Sequence, residues 1–342
     1  MRNVIGLIWL LLALSLSAFT QEGVQQFASL GDFKLENDEV VRDCRIGYRV
    51  YGHLDAGKSN GILFPSWFGG TSKELEGYFG PGKLVDTSVY YVIAVDALAN
   101  GVSSSPSNST LRPRMKFPRI SIRDMVNSQY LLLTEKLQIH HLKAVMGDSM
   151  GGMQTFQWMV SYPEFMEYAI PIAGSPRLSA YDLTLFQLQL DAIRNDPAWN
   201  HGDYAQQPGV TTIAEAEALT LTTPENYNRE VSRDKFLDAI EESKKGVTGI
   251  DANDRIRQAE AMMAHDVSAP YGGSMERAAA RVRAKVLVIV DMHDHYVAPG
   301  AAVDFARLLH AQVLTLDNDC GHNGPECDMR NVAPKVAAFL KP

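Results

Sequence analysis

The sequence GDSMG at residues 147–151 lies between a predicted strand and a predicted helix. The largely apolar run at residues 143–146 before it predicts a buried strand, and residues 152–161 after it predict a helix. A Gly-x-Ser-x-Gly pattern in this setting is typical of a sharp turn that pushes the serine hydroxyl into the open, and the two glycines make room for it. Ser149 is therefore the predicted nucleophile.

Further apolar runs along the chain predict the strands of one sheet. They lack the polar alternation of a half-exposed strand, so they fit strands that are buried on both faces. These runs are residues 61–64, 90–95, 143–146, 168–173, 286–290 and 313–316. Helical patterns at residues 122–137, 152–161 and 301–309 alternate with them, and residues 33–35 and 44–48 predict an antiparallel edge hairpin. The predicted fold class is α/β, specifically the α/β-hydrolase fold, with a mostly parallel central sheet and helices on both faces.

One segment of about a hundred residues interrupts this alternation. Residues 176–276 are rich in Ala, Leu, Glu, Asp and Gln and contain helical patterns but no convincing strand. This length is too great for a single crossover between strands, although a set of ordinary crossover helices is the alternative. We therefore predict a helical cap at residues 176–276, inserted into an α/β-hydrolase core formed by residues 21–175 and 277–342.

The N-terminus has the organisation of a secretory signal peptide. Arg2 supplies a positive charge, residues 4–18 are almost wholly apolar, and small residues follow before polarity begins at Gln21. The apolar run is short for a membrane span, and no cationic segment follows it. We predict that residues 1–20 are removed after Thr20 and that the mature protein is exported, to the periplasm or outside the cell, without a stable membrane span. A retained membrane anchor is the alternative.

Charge and cysteine content exclude some functions. The formal net charge is −8 and no basic stripe is present, so we expect no nucleic-acid partner. The three cysteines lack the C-x-x-C spacing of a metal site, so we predict no metal. Cys320 and Cys327 are close in sequence and could form a disulfide in an exported protein, which would leave Cys44 free. Three unpaired thiols are the alternative.

A serine nucleophile needs a base and an acid, which this fold supplies after the last two strands. His322 lies in the loop DCGHNG at residues 319–324, after the final predicted strand, and is the predicted base. Two aspartates follow the penultimate strand. We choose Asp294 to orient the histidine and stabilise its imidazolium form, with Asp291 as the alternative. Among the other histidines, His201 in the predicted cap could face the cleft.

Backbone amides must stabilise the negative oxygen of a tetrahedral intermediate. The amide of Met150, at the start of the helix after the nucleophile, is one predicted donor. The second is expected in the loop PSWFGG at residues 65–70, and we assign it to Trp67 by its position. Trp67 and Phe68 are also predicted to line an apolar acyl site, the alternative being that they only cover the core.

The elbow and several other motifs resemble those of homoserine O-acetyltransferases, a branch of the α/β-hydrolase superfamily. GDSMGGMQ at residues 147–154 is similar to the family's GGSMGGMQ, and FPRISIRDMV at residues 117–126 is similar to its F-P-x-x-T-I-R-D-x-V. AIRNDPAW at residues 192–199 and GDY at residues 202–204 follow the family's cap motifs. The resemblance runs from about Cys44 to the C-terminus and implies the fold, the triad, the cap and a ping-pong mechanism through an acyl-serine.

The positions that recognise homoserine in this family differ here. Asn323 stands where the family has the aspartate that binds the substrate amine, so we assign Asn323 to the substrate site without that charge. Residues 209–223 contain no arginine or lysine for the substrate carboxylate, and Asp148 replaces the usual glycine of the elbow. Losing both charged contacts should cost on the order of several kcal/mol, so homoserine is not the expected substrate. Acetyl-CoA is cytosolic, and an exported enzyme would not ordinarily meet it.

These features favour an exported serine hydrolase that cleaves a small carboxylic ester through an acyl-serine, with a small-molecule ester as its partner and no cofactor. The alternative is an O-acyltransferase with a non-homoserine acceptor, which would use acetyl-CoA or another acyl donor. A non-catalytic binding protein is a third alternative, although such proteins usually have a broken triad. The sequence leaves the formation of a homodimer open.

Overall fold

A computed structural model of the protein describes residues 22–341 and contains an eight-stranded sheet. The strands are β1 (Gln26–Lys34), β2 (Val40–Tyr51), β3 (Gly61–Pro65), β4 (Tyr91–Val95), β5 (Leu142–Asp148), β6 (Met166–Ile172), β7 (Lys285–Asp291) and β8 (Gln312–Leu316). Their spatial order is β1-β2-β4-β3-β5-β6-β7-β8. Strand β2 pairs antiparallel with β1 and β4, and all other neighbours pair parallel. This sheet confirms the predicted fold class, whereas the predicted signal peptide, residues 1–20, lies outside the described residues.

Helices connect the strands and form most of the segment between β6 and β7. The helices are α1 (Ile122–Leu131), α2 (Met150–Ser161), α3 (Ala180–Arg194), α4 (Val210–Thr220), α5 (Pro224–Glu230), α6 (Phe236–Thr248), α7 (Ala252–Met263), α8 (Met275–Ala279), α9 (Gly300–Leu308), α10 (Gly324–Cys327) and α11 (Met329–Phe339). The predicted helix at residues 122–137 consists of α1 followed by a π-helical turn, Leu132–Lys136. None of the helices within residues 22–341 has the length and apolar character needed to cross a membrane.

Alternate residues of the central strands enter two hydrophobic clusters, one on each face of the sheet. In β3, Leu63 belongs to the first cluster, whereas Ile62 and Phe64 belong to the second. Helices α1, α2 and α9 contribute to the first cluster and α11 contributes to the second. Because side chains of a strand alternate between faces, helices on both faces bury every residue of a central strand. This burial explains the unbroken apolar runs in the sequence.

The predicted cap, residues 176–276, lies in the helical segment between β6 and β7. A third hydrophobic cluster joins α3, α4 and α7 through residues such as Ile193, Ile213 and Ile256. Phe68, from the loop after β3, packs against both this cluster and the first one. The segment therefore has a core of its own and packs against a loop at the carboxyl end of the sheet.

Candidate active site

The predicted nucleophile lies on the turn between β5 and α2. Ser149 has φ 55° and ψ −119°, a backbone conformation that is rare outside glycine and that is common at functional sites. The flanking glycines are required by close packing. A Cβ on Gly147 would lie 2.7 Å from the carbonyl carbon of Gly151, and a Cβ on Gly151 would lie 2.5 Å from the carbonyl oxygen of Pro65. The turn therefore tolerates no side chain at either position.

Three of the predicted site residues form one chain of hydrogen bonds. The Oγ of Ser149 lies 2.9 Å from the Nε2 of His322, and the Nδ1 of His322 lies 2.7 Å from the Oδ2 of Asp294. All three side chains are buried. Ser149 follows β5, Asp294 follows β7 and His322 follows β8, so the parallel order of these strands brings the three residues to one edge of the sheet.

The two aspartates considered for the acid have different contacts. The Oδ1 of Asp294 accepts hydrogen bonds from the amides of Tyr296 and Val297, both at 2.8 Å, while its other oxygen contacts the histidine. Asp291 is also buried, but its oxygens accept from the amides of His293 at 2.8 Å and Asn318 at 3.4 Å. Asp294 is thus held by its own loop in an orientation that serves the histidine, and Asp291 supports the loop backbone.

Opposing effects act on the protonation of His322. Burial disfavours the imidazolium form, whereas Coulomb attraction to Asp294 and the hydrogen bond with it favour that form. The carboxylate of Asp148 adds to the attraction. The attraction prevails, so the pKa of His322 is raised above the usual value for histidine. The arrangement thus stabilises the charge that His322 would acquire on taking a proton from serine.

The two backbone amides predicted to bind a negative oxygen belong to Met150, at the elbow, and to Trp67, in the loop after β3. Met150 is the first residue of α2, where a helix offers no acceptor for its first N–H groups. Within residues 22–341, neither the amide of Met150 nor that of Trp67 donates to a protein acceptor. Trp67 lines the same cleft as Ser149. The assignment of these two amides to the oxyanion hole stays a prediction.

A cleft of about 350 Å³ lies against Ser149 and is lined by residues of both the core and the cap. Trp67, Phe68 and Asn323, the three residues assigned to substrate binding from the sequence, all line it. His201 does not: it is exposed and lies against Trp199, so the interpretation that it could face the cleft is wrong.

The cleft also holds polar residues that the sequence analysis did not assign to it. Arg255 and Glu217 come from the cap, and Tyr78, Asp148 and Glu326 come from the core. The Oη of Tyr78 donates to the Oδ2 of Asp148 at 3.2 Å. Desolvation raises the pKa of the Asp148 carboxyl to about 6. The cleft therefore contains charged residues beside the apolar surface of Trp67 and Phe68.

Asp148 and Arg255 differ in how far the sequence indicates that they belong to the cleft. Asp148 is recognisable in the sequence because it replaces the usual glycine of the elbow, but the sequence does not indicate its role. Arg255 gives no signal in the sequence, because Arg257 has the same residue type in the same predicted helix. Only the tertiary contacts distinguish the two arginines.

A disulfide closes the loop that carries the histidine. Cys320 and Cys327 are bonded, with their Cα atoms 6.5 Å apart, and Cys44 is a buried free thiol. This pairing is the one considered from the sequence. Within residues 22–341, no group of three or more His, Cys, Asp or Glu side chains is arranged to bind a metal ion.

The position of these side chains defines a class of protein. A serine on a strand-turn-helix elbow, hydrogen-bonded to a histidine and an aspartate from loops after later strands, is the arrangement found in α/β hydrolases. The family model for the alpha/beta hydrolase fold matches residues 62–326. The chain therefore belongs to the α/β-hydrolase family.

Relatives that match nearly the whole chain include both hydrolases and an acetyltransferase. The chain is 35% identical to an ethyl acetate hydrolase of Pseudomonas veronii over 326 residues, which cover 90% of this chain and 92% of the relative. An acetylester hydrolase from Corynebacterium glutamicum matches with a TM-score of 0.86 at 29% identity, over 93% of this chain and 95% of the other. A homoserine O-acetyltransferase from Bacillus anthracis matches with a TM-score of 0.85 at 26% identity, over 93% and 98%. The resemblance to the acetyltransferase branch is confirmed.

Proposed function

We propose that the protein is a serine esterase that cleaves a small carboxylic ester through an acyl-serine intermediate. The observation that carries the proposal is the hydrogen-bonded chain of Ser149, His322 and Asp294 beside an open cleft. In this proposal Ser149 is the nucleophile, His322 is the general base and then the general acid, and Asp294 orients the histidine.

The first half of the reaction transfers the acyl group to the enzyme. The Nε2 of His322 takes the proton of the Ser149 hydroxyl as the Oγ attacks the carbonyl carbon of the ester. The carbonyl oxygen becomes negative and accepts hydrogen bonds from the amides of Met150 and Trp67. When the carbonyl re-forms, the bond to the alcohol oxygen breaks. The imidazolium of His322 gives its proton to the leaving alcohol, and the acyl group stays on Ser149.

The second half repeats these steps with water in place of serine. The neutral His322 takes a proton from a water molecule, which attacks the carbonyl carbon of the acyl-serine. The same two amides receive the negative charge. The bond to the Oγ then breaks, Ser149 regains its proton from His322, and a carboxylic acid is released.

The relatives support a small acyl group. Ethyl acetate hydrolase and acetylester hydrolase are the names of two proteins that match over at least 90% of this chain. A cleft of about 350 Å³ lies at the small end of the range for ligand pockets, which agrees with a short ester. Acetic esters of small alcohols are therefore the first substrates to test.

Export forms part of the proposal. The basic, apolar and small-residue sequence of residues 1–20 supports it. The disulfide between Cys320 and Cys327 supports it independently, because such bonds persist in oxidising compartments outside the cytosol. We propose that the mature enzyme acts in the periplasm or outside the cell.

Acyl transfer to an alcohol is the second candidate. It is favoured by the match to the acetyltransferase of Bacillus anthracis, whose fold agrees over almost the entire chain. The same acyl-serine would form, but an alcohol in place of water would accept the acyl group. The absence of a basic residue at 209–223 weighs against homoserine as that alcohol.

The test is an assay of the full chain with p-nitrophenyl acetate and ethyl acetate, each with and without added alcohols and acetyl-CoA. Hydrolysis predicts steady turnover in buffer alone, and Ser149→Ala should abolish it. A single burst of one acyl group per enzyme, followed by turnover only when an alcohol is present, would support transfer and contradict the esterase proposal. Equal activity of the wild type and Ser149→Ala would reject both.

A further inference from the structure

Arg255, on α7, is a buried cation in the cleft whose donors are only partly used by the protein. The residue is 3% exposed and lines the cleft together with Ser149 and His322. Its Nη1 donates to the Oε1 of Gln189 at 3.0 Å and to the Oε1 of Glu217 at 2.8 Å. Its Nε is buried and has no acceptor in the described part of the chain. A buried N–H donor without an acceptor costs free energy, so we expect this N–H to have a hydrogen-bond partner.

Arg257, two positions along the same helix, shows the contacts of an arginine that the protein satisfies completely. Its Nε donates to the carbonyl oxygen of Phe117 at 3.1 Å, and its Nη2 donates to the carbonyl oxygens of Met115 and Phe117 at 2.9 and 2.8 Å. Its Nη1 pairs with Glu260 at 2.7 Å. Each of its nitrogens has a protein acceptor. Arg255 differs because it lines the cleft and its Nε has none, which points to an acceptor from outside the protein.

Arg255 is connected to the reacting residues through two aromatic side chains. Its guanidinium carbon lies 5.2 Å from the centre of the Phe68 ring, and Phe68 follows the residue assigned to the oxyanion hole. Its partner Gln189 donates to the Oη of Tyr296 at 3.2 Å, and the Tyr296 ring lies 5.0 Å from the His322 ring. The guanidinium of Arg255 therefore lies in the wall of the same cavity in which the ester would react.

The other charges of the cleft determine which kind of acceptor fits. Glu217 already pairs with Arg255, and Asp148 and Glu326 line the same cleft. The lining of the cleft thus carries three carboxyl groups and one arginine, a balance that repels an anionic substrate. A neutral oxygen can accept an N–H without this repulsion.

We propose that Arg255 is a specificity-determining residue that donates a hydrogen bond to a second, neutral oxygen of the substrate. The preferred substrates are then small esters that carry an ether, ketone or hydroxyl oxygen in addition to the ester group, and simple alkyl esters are poorer. This proposal rests on the proposed esterase function, whose substrate class it narrows.

The experiment compares pairs of esters that differ only by a methylene or an oxygen at one position. Butyl acetate is paired with methoxyethyl acetate, which tests the alcohol side, and ethyl butanoate is paired with ethyl methoxyacetate, which tests the acyl side. kcat/KM is measured for each ester, and each ratio is divided by the ratio of the alkaline hydrolysis rates. Wild-type enzyme should prefer the oxygenated member of at least one pair.

Two arginine variants then test whether Arg255 causes that preference. Arg255→Lys keeps a charge for Glu217 but removes the guanidinium donors, so the preference should fall by roughly tenfold or more, the range expected for a hydrogen bond to a charged group. Arg257→Lys, on the same helix, should leave the preference unchanged even if it lowers the melting temperature. Arg255→Gln serves as a second variant if Arg255→Lys does not fold.

The proposal is overturned if wild-type enzyme shows no preference in either pair, if both Arg255 variants keep the preference, or if Arg257→Lys loses it equally. If no ester is hydrolysed, that result contradicts the proposed esterase function and does not bear on the role of Arg255. Binding of the same ester pairs to Ser149→Ala, followed by ligand-observed NMR, still decides the role of Arg255. Tighter binding of an oxygenated ester that Arg255→Lys abolishes would support it, and equal binding of both members would overturn it.

Discussion

Asp294 and Asp291 are three positions apart and both buried, yet only Asp294 contacts His322. The two amides that hold Asp294 fix its second oxygen toward the histidine. We predict that Asp294→Asn lowers kcat by about 10⁴-fold, because an amide cannot fix the required tautomer or stabilise the imidazolium. Asp291→Asn is the matched control and should lower kcat less than tenfold. Steady-state kinetics on p-nitrophenyl acetate measures both, and a greater loss in Asp291→Asn would contradict the assignment of the acid.

Asp148 is expected to influence the pH dependence of kcat/KM. His322 accepts a proton only when neutral, so kcat/KM should be lost as pH falls through its raised pKa. The Asp148 carboxylate is one of the charges that raise this pKa, and removing it destabilises the imidazolium. In Asp148→Asn the acid limb of the kcat/KM profile should therefore move to lower pH. Asp317→Asn removes an exposed charge and should not move it. A shift toward higher pH in Asp148→Asn would show that the sign of this interaction is wrong.

The loop after β8 is an element stabilised by a covalent bond. The disulfide between Cys320 and Cys327 spans His322 and helix α10. We predict that replacing both cysteines by alanine lowers the free energy of unfolding by roughly 2–3 kcal/mol, because the unfolded chain regains the freedom of this short loop. Urea unfolding of the variant and the wild type measures the difference. Thiol titration of denatured wild type without reductant should find Cys44 alone, and three reactive thiols would contradict the disulfide.

Helix α7 connects the cap to the core loops that shape the cleft. The side chain of Gln258 accepts from the amide of Gly69 at 2.7 Å and donates to the carbonyl oxygen of Leu98 at 3.0 Å. Asp254 accepts from the amide and the hydroxyl of Ser107. Because Gly69 lies two residues after Trp67, α7 helps to position the loop that supplies the second predicted oxyanion donor, as well as carrying Arg255.

Across the whole molecule, features that depend on local sequence pattern could be predicted. Apolar runs located the strands of the parallel sheet, and the elbow motif located Ser149, because both follow from periodicity and backbone sterics. The two residues that form a chain of hydrogen bonds with Ser149, His322 and Asp294, could be predicted from their places after the last two strands. The charged residues of the cleft could not be predicted. Arg255 and Glu217 meet there only because α7 and α4 come together in the third hydrophobic cluster, and no local sequence pattern indicates that packing.

The proposed function requires Ser149 to be an activated nucleophile, and covalent labelling with a fluorophosphonate probe is the most direct test of this role. Intact-mass analysis of the labelled full chain should show one adduct per molecule, with peptide mapping on Ser149 and no adduct on Ser149→Ala. Asp291→Asn should still be labelled. Equal labelling of the wild type and Ser149→Ala, or no labelling of a folded wild type, would contradict the assignment of Ser149 as the nucleophile.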